Sequence, residues 1–180
     1  YVGLPTALIL AEVGFEVTGY DINHDLIQSI NNNSFNSEEP NLNNLLKTVK
    51  KENKFTASNL LTKADIYIIC VPTPKKEKRC DLSFVQNSIN LIANTIEENS
   101  IVIIESTIPI GTTKNCANTL LKYRKDLNKE KISFAHCPER VFPGNAISEI
   151  KNNDRVIGGI NKESTELAVN IYEKFSRGKI

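Results

Sequence analysis

Two short runs that are apolar at every position, Ile66–Val71 and Ile101–Ile104, constrain this chain more than any other feature. A strand that alternates apolar with polar residues can keep one face in water, but a run without alternation is covered on both faces. Around these runs lie segments whose apolar residues recur at helical spacing. They are Leu4, Ala7, Leu8 and Ala11; Val85, Ile89, Ile92 and Ile96; and Leu167, Ala168, Ile171 and Phe175. Strands buried on both faces and alternating with helices make βαβ units. The expected class is α/β, with a doubly wound parallel sheet.

The remaining segments fit that plan. Leu4–Val13 reads as a helix buried on most sides and ended by Gly14, and Phe15–Tyr20 as the strand after it. Residues 24–52 read as two polar-faced helices broken near Pro40, with a turn at Asn31–Asn33. Pro72-Thr73-Pro74 stops the strand at Val71, and Ser83-Phe84-Val85-Gln86 has the spacing of a capping box. Gly111–Leu127 is expected as a helix, Ile132–Ala135 as a strand, His136–Ile150 as a long loop and Val156-Ile157 as a last short strand.

At 180 residues the chain is long enough for one domain of the usual size, roughly 100–200 residues. Lys and Arg number 22 against 21 Asp and Glu, so there is no basic field to hold a phosphate backbone, and no nucleic-acid partner is expected. The cationic run Lys75–Arg79 reads as a solvated loop, although its place after Pro74 also suits attraction to a pyrophosphate. No apolar run approaches the roughly 20 residues that span a bilayer, and no signal peptide is visible. A cytoplasmic protein without a membrane partner is therefore expected. The four cysteines form no CxxC pair, which favours reduced thiols over a zinc site, and no metal is expected. The first residue is Tyr1 and the chain has no Met, so the chain is expected to begin partway through its fold, with the first strand missing.

A dinucleotide-binding βαβ unit needs G-x-G-x-x-G after its first strand, for a tight turn, close approach to pyrophosphate and close helix packing. Gly3 can be the third of these glycines, and Asp21 lies 18 residues on, at the end of a strand, where a carboxylate accepts hydrogen bonds from a ribose. Tyr1, Val2, Gly3 and Asp21 are thus candidate cofactor contacts. A helix-packing glycine and a turn aspartate remain the plainer alternative. A carboxylate at Asp21 repels a 2′-phosphate, and Ile22-Asn23-His24 supplies no Arg to receive one, so NAD is favoured over NADP.

Several strings, taken in order, resemble one family. They are Tyr1-Val2-Gly3-Leu4-Pro5-Thr6-Ala7, Gly19-Tyr20-Asp21-Ile22-Asn23, Val71-Pro72-Thr73-Pro74 and Asp81-Leu82-Ser83-Phe84-Val85, followed by Glu105-Ser106-Thr107-Ile108-Pro109-Ile110-Gly111-Thr112-Thr113 and Asp154-Arg155-Val156-Ile157-Gly158-Gly159. The chain resembles the UDP-glucose/GDP-mannose dehydrogenases, which oxidise nucleotide sugars to uronic acids. His136-Cys137-Pro138-Glu139-Arg140-Val141-Phe142-Pro143-Gly144 is similar to the branch that acts on UDP-N-acetylmannosamine. The resemblance implies an NAD-dependent 6-dehydrogenase working by two hydride transfers through a cysteine thioester, for cell-surface polysaccharide. It covers the NAD-binding domain, residues 1–180, truncated at both ends. The family's Gly-Gly-His-Cys-type string does not occur here.

The resemblance also implies roles. Thr73 and Thr107 line the NAD site, with Thr107 near the nicotinamide helping to order a water. Thr113 opens a helix whose free N–H groups suit a polar cofactor atom, or it is a plain N-cap. Glu139 takes a proton in the second half-reaction. Arg140 and Val141 contact the UDP-sugar substrate, against the plainer reading of Arg140 in a surface ion pair. Cys137 and His136 read as loop residues, Cys137 not being the nucleophile. UDP-glucose or UDP-N-acetylglucosamine as substrate, and a non-catalytic nucleotide-binding module, are the alternatives. Family members generally dimerise through later segments, so a homodimer or higher homo-oligomer is expected. Without its central first strand, the chain alone is expected to fold poorly.

Overall fold

The computed structural model of the chain describes residues 2–77 and 79–180. In order its elements are α1 (Gly3–Glu12), β1 (Val17–Tyr20), α2 (His24–Asn31), α3 (Leu42–Lys51), β2 (Phe55–Ser58), β3 (Ile66–Ile69), β4 (Lys75–Lys76) and β5 (Arg79–Cys80). Then come α4 (Ser83–Ile92), β6 (Ile101–Ile104), α5 (Thr112–Tyr123), β7 (Ser133–His136), α6 (Ala146–Asn152), β8 (Gly158–Gly159) and α7 (Lys162–Tyr172). Two compact units result. The first joins residues up to Thr62 with Arg140–Asp154 and Lys174–Lys179; the second joins Lys63–Glu139, Arg155–Glu173 and Ile180.

In the first unit β1 and β2 pair in parallel, from Val17 opposite Phe55 to Tyr20 opposite Ser58. Helix α1 buries Leu8, Ile9, Leu10 and Ala11, consecutive residues that cover more than one face. It ends, as expected, where Gly14 takes φ +106°. The Asn31–Asn33 turn also forms, with Asn33 at φ +59° and the Lys50 ammonium donating to its side chain at 2.7 Å. Strand β2 was not foreseen, because four residues give too little alternation to read.

The expected His136–Ile150 loop is shorter than the sequence suggested. Its end winds into α6, burying Ala146, Ile147 and Ile150. What holds that turn comes from far away in the chain: the Glu39 carboxylate accepts the N–H of Gly144 at 2.7 Å and of Ala146 at 2.6 Å. One oxygen serves each, so the carboxylate satisfies two donors at a helix start.

The second unit is built on a sheet of order β3-β6-β7-β8, with β3, β6 and β7 parallel and β8 antiparallel to β7. Strand β6 is buried at all four positions, the environment its unbroken apolar run required. Helix α4 turns Val85, Ile89 and Ile92 inward, and Ile96 beyond it is buried too. The α/β class with parallel strands is therefore as expected.

Five local expectations need correction here. Ser83 does not cap α4: it is the first helical residue, and its N–H is met instead by Asp81 Oδ1 at 2.9 Å. Hydrogen bonds from the Ser83 backbone and then its side chain hold the Asp81 carboxyl below its ordinary range. The last strand is Gly158–Gly159 rather than Val156-Ile157, and Val156 is exposed. A Cβ on Gly159 would lie 2.8 Å from the Asn161 carbonyl oxygen, so only glycine permits this close pass over the start of α7. Leu167, expected inward, is exposed. Helix α5 stops at Tyr123, where Arg124 leaves helical geometry and its guanidinium donates to the carbonyls of Ala93 at 3.1 Å and Ile96 at 2.7 Å. The run read as a solvated loop folds as the β4/β5 hairpin, with Glu77 at φ +56° in its turn; Lys78 lies outside the described residues.

Candidate functional site

The parallel order β3-β6-β7 sets the carboxyl ends of three strands side by side in the second unit, and several candidate residues follow those ends. Thr73 follows β3, Thr107 follows β6 and Glu139 follows β7. Ser106, buried just beyond β6, donates to the Val71 carbonyl at 2.7 Å and fastens the first two of these exits together. The β4/β5 hairpin returns Cys80 to the same place, its Sγ lying 3.7 Å from the Thr73 carbonyl oxygen and 4.0 Å from that of Thr107. Thr73 is half-buried and Thr107 exposed. The Glu139 N–H donates to the Glu105 carbonyl at 3.2 Å, so the third exit is tied to the second through the backbone.

Thr113 does not cap α5. The cap position is Gly111, in the left-handed region at φ +88°, and it supplies no side-chain hydrogen bond. Thr113 instead lines an open cleft of about 370 Å³ with Lys114, His136, Pro138, Gly158 and Gly159. His136 is fixed there, its Nδ1–H donating to the Ile104 carbonyl at 2.7 Å.

Glu139 is not a surface carboxylate. Its side chain is 6% exposed and accepts from Arg155 Nη1 at 3.0 Å, with Arg155 itself 3% exposed. Cys137 is fully buried, and burial pushes its thiol up to about 11 against the opposing pull of Arg155. It is a protonated packing thiol at neutral pH, which agrees with reading it as something other than a nucleophile.

Gly3, Asp21, Arg140 and Val141 belong to the first unit. Asp21 follows β1; its Oδ1 accepts the Asn23 N–H at 2.8 Å, and Asn23 in turn caps α2 by accepting from Leu26 at 3.1 Å. Oδ2 of Asp21 has no hydrogen-bond partner among the described residues. Gly3 opens α1, whose first turn holds no acidic side chain and whose cap residue Val2 makes no side-chain cap bond. A helix start without a competing carboxylate, followed by a strand ending in aspartate, fits a pyrophosphate and a ribose. Arg140 is exposed and donates to the Asp154 carbonyl at 3.3 Å. Tyr1 lies outside the described residues.

Glu39, Glu105, Arg155 and Tyr172 have no role in the reading of the sequence alone. One signal was visible: Glu105 directly follows a fully apolar strand, where a carboxylate must find buried partners. Among the described residues no group of His, Cys, Asp and Glu could hold a metal, and no helix is long and apolar enough to cross a membrane.

The fold and these residues define a nucleotide-binding α/β protein of the Rossmann type. The sequence profile described as the UDP-glucose/GDP-mannose dehydrogenase family, NAD binding domain, matches residues 1–176, and the chain belongs to that family. Its cofactor is accordingly NAD. A UDP-N-acetyl-D-mannosamine dehydrogenase from Methanococcus vannielii is 44% identical over 185 aligned positions, covering 100% of this chain and 42% of that protein. An NDP-N-acetyl-D-galactosaminuronic acid dehydrogenase from Ralstonia nicotianae is 37% identical over 99% of this chain and 44% of its own length. The solved structure of the UDP-D-ManNAc dehydrogenase from Pyrococcus horikoshii superposes with a TM-score of 0.95 at 37% identity, over 100% of this chain and 44% of that one. The chain thus spans under half the length of these relatives.

Proposed function

We propose that residues 1–180 form the NAD-binding domain of an enzyme that oxidises a UDP-N-acetylmannosamine-type sugar at C6 to the uronate, for cell-surface polysaccharide. The observation that carries this reading is the gathering of Thr73, Thr107 and the buried Glu139 at one strand edge. Similarity to relatives named for the N-acetylmannosamine sugar supports the choice of substrate.

NAD, when bound, accepts the hydride in each of two successive half-reactions. The roles of the chain's own residues follow from their chemistry. Asp21 receives the ribose hydroxyls and disfavours a 2′-phosphate, while the opening turn of α1, with Tyr1, Val2 and Gly3, receives the pyrophosphate. Thr73, Thr107 and Thr113 offer hydroxyls to the cofactor and to an ordered water. Glu139, paired with Arg155, takes a proton from the hydroxyl or the hydrolytic water. Arg140 forks onto a phosphate or sugar oxygen beside Val141. The working protein is a homodimer in this reading, and it acts in the cytoplasm.

The test is NADH formation by the polypeptide expressed from the complete reading frame. UDP-N-acetylmannosamine, UDP-N-acetylgalactosamine, UDP-N-acetylglucosamine and UDP-glucose are compared, with Arg140→Ala beside the native chain. Two NADH per UDP-N-acetylmannosamine, with KM for the sugar raised about 10-fold or more by Arg140→Ala, is the expected result. Preference for another sugar overturns the substrate choice. NAD binding without turnover on any sugar overturns the enzyme reading and leaves a nucleotide-binding module.

A further inference from the structure

The second unit holds a buried polar cluster that the cofactor and substrate roles above do not use. Tyr172, at the end of α7 and fully buried, donates its phenol to Glu105 Oε1 at 2.6 Å. The other Glu105 oxygen accepts the Cys70 thiol at 3.1 Å. Arg155 lies with its guanidinium carbon 5.0 Å from the centre of the Tyr172 ring. From there its Nη1 reaches Cys137 Sγ at 3.7 Å and Glu139 Oε2 at 3.0 Å. Glu105 closes the circuit, since its carbonyl takes the Glu139 N–H at 3.2 Å. Residues that follow β3, β6 and β7 thus meet one from ahead of β8 and one from the end of α7.

A carboxylate withdrawn from water this far needs donors or an opposite charge beside it. Arg155 supplies both to Glu139, and it is itself fixed on two sides, by the aromatic face and by the sulfur. Lys would reach as a point charge, without the planar fork and without stacking on the ring. The tyrosine is in turn locked by Glu105, so the orientation of the guanidinium is inherited from the core of the unit.

We propose that Arg155, seated on the Tyr172 ring, is a positioning residue that holds the Glu139 carboxylate in one orientation for proton acceptance. The proposal rests on the reading of Glu139 as the proton acceptor. Arg155 touches neither sugar nor cofactor in this role; it acts through Glu139. The groups facing Glu139 are Arg155 and, through it, Cys137 and Tyr172, with Glu105 and Cys70 close enough to bear on its charge. Both thiols and the phenol are pushed upward by burial and stay neutral near pH 7, so Arg155 is the cation among them.

The experiment uses the complete polypeptide and four variants: Glu139→Gln, Arg155→Met, Arg155→Lys, and the double variant Arg155→Met with Glu139→Gln. Glu139→Gln is expected to lower kcat for uronate formation about 1,000-fold, leaving a rate that can still be measured. Arg155→Met is expected to lower kcat about 100-fold with KM for sugar and NAD within a few-fold of native. Arg155→Lys, which keeps the charge but loses the planar fork and the stacking on the ring, is expected to return part of the lost kcat at unchanged KM. The double variant should be no slower than Glu139→Gln alone, because residues acting as a unit are not additive. Should Arg155→Met fail to fold, Arg155→Lys and the double variant, which leaves no unpaired buried charge, carry the test.

Native kcat in Arg155→Met, a loss that falls on KM rather than kcat, or no return of kcat in Arg155→Lys overturns the positioning role while leaving Glu139 in place. So does a double variant slowed multiplicatively. Native turnover in Glu139→Gln overturns the reading of Glu139 itself, and the role of Arg155 with it.

Discussion

The Tyr172→Phe variant removes the phenol that donates to Glu105 in the buried cluster. Phenol and carboxyl meet at 2.6 Å, with Tyr172 fully buried and Glu105 2% exposed, so no water can replace the lost donor without opening the core. A hydrogen bond to a charged group contributes about 1.5–3 kcal/mol, and one between neutral groups about 1 kcal/mol. Which value applies depends on the charge of Glu105. Burial lifts its carboxyl above the ordinary 4.5, opposed by the hydrogen bonds from Tyr172 and Cys70. The nearby Glu139 adds to the lift and Arg155 works against it.

The sign of the pH dependence follows. A carboxyl with a higher pKa folded than unfolded binds more protons in the native state, so its contribution is fully present at acid pH. That contribution is lost as pH rises from 4.5 through the higher folded value. Removing the phenol takes away a donor that favours the charged form, so the folded pKa rises further. The penalty of Tyr172→Phe must therefore grow with pH. Hydrogen exchange in peptides covering Ile101–Ile104, measured on native and variant complete polypeptide at matched pH, reads this directly. The variant should exchange about 5-fold faster near pH 4 and about 10- to 100-fold faster near pH 8, at 1.4 kcal/mol per decade. A ratio near unity at pH 8, or one that shrinks as pH rises, refutes the reasoning.

Two further outcomes are expected. Cys137, fully buried with its thiol pushed up to about 11, should resist iodoacetamide in the native protein at pH 7.5 and react only on unfolding, as followed by peptide mass spectrometry; prompt native labelling would contradict its packing role. Asp21→Ala should weaken NAD binding about 10-fold and narrow the preference over NADP, read by NADH and NADPH fluorescence titration; unchanged affinity for both would remove Asp21 from the ribose site.

How much was legible in the sequence differs from element to element. Helix α1 and strands β3 and β6 were readable because their apolar pattern is local and unbroken. The turn at Asn33 was readable because asparagine tolerates φ +59°. The β4/β5 hairpin was not, since its exposed residues include Lys75, Lys76 and Arg79, whose pattern matches that of a solvated loop. Helix α6 was hidden because the group that organises its first turn, Glu39, lies more than a hundred residues earlier. The cap on α4 was misassigned by two residues: Asp81 and Ser83 both carry oxygen acceptors, and only backbone geometry chooses between them.

The α/β class, the family and the candidates at strand ends are all legible in the chain before it folds. Those depend on hydrophobic period and on short strings, which are properties of neighbouring residues. Only the tertiary structure decided that Glu139 is a buried, paired carboxylate. Cys70, Glu105, Arg155 and Tyr172 come from separate elements, and no spacing relates them. Their meeting is set by the order of strands in the sheet and by where α7 packs, a long-range choice that the pattern of adjacent residues does not encode.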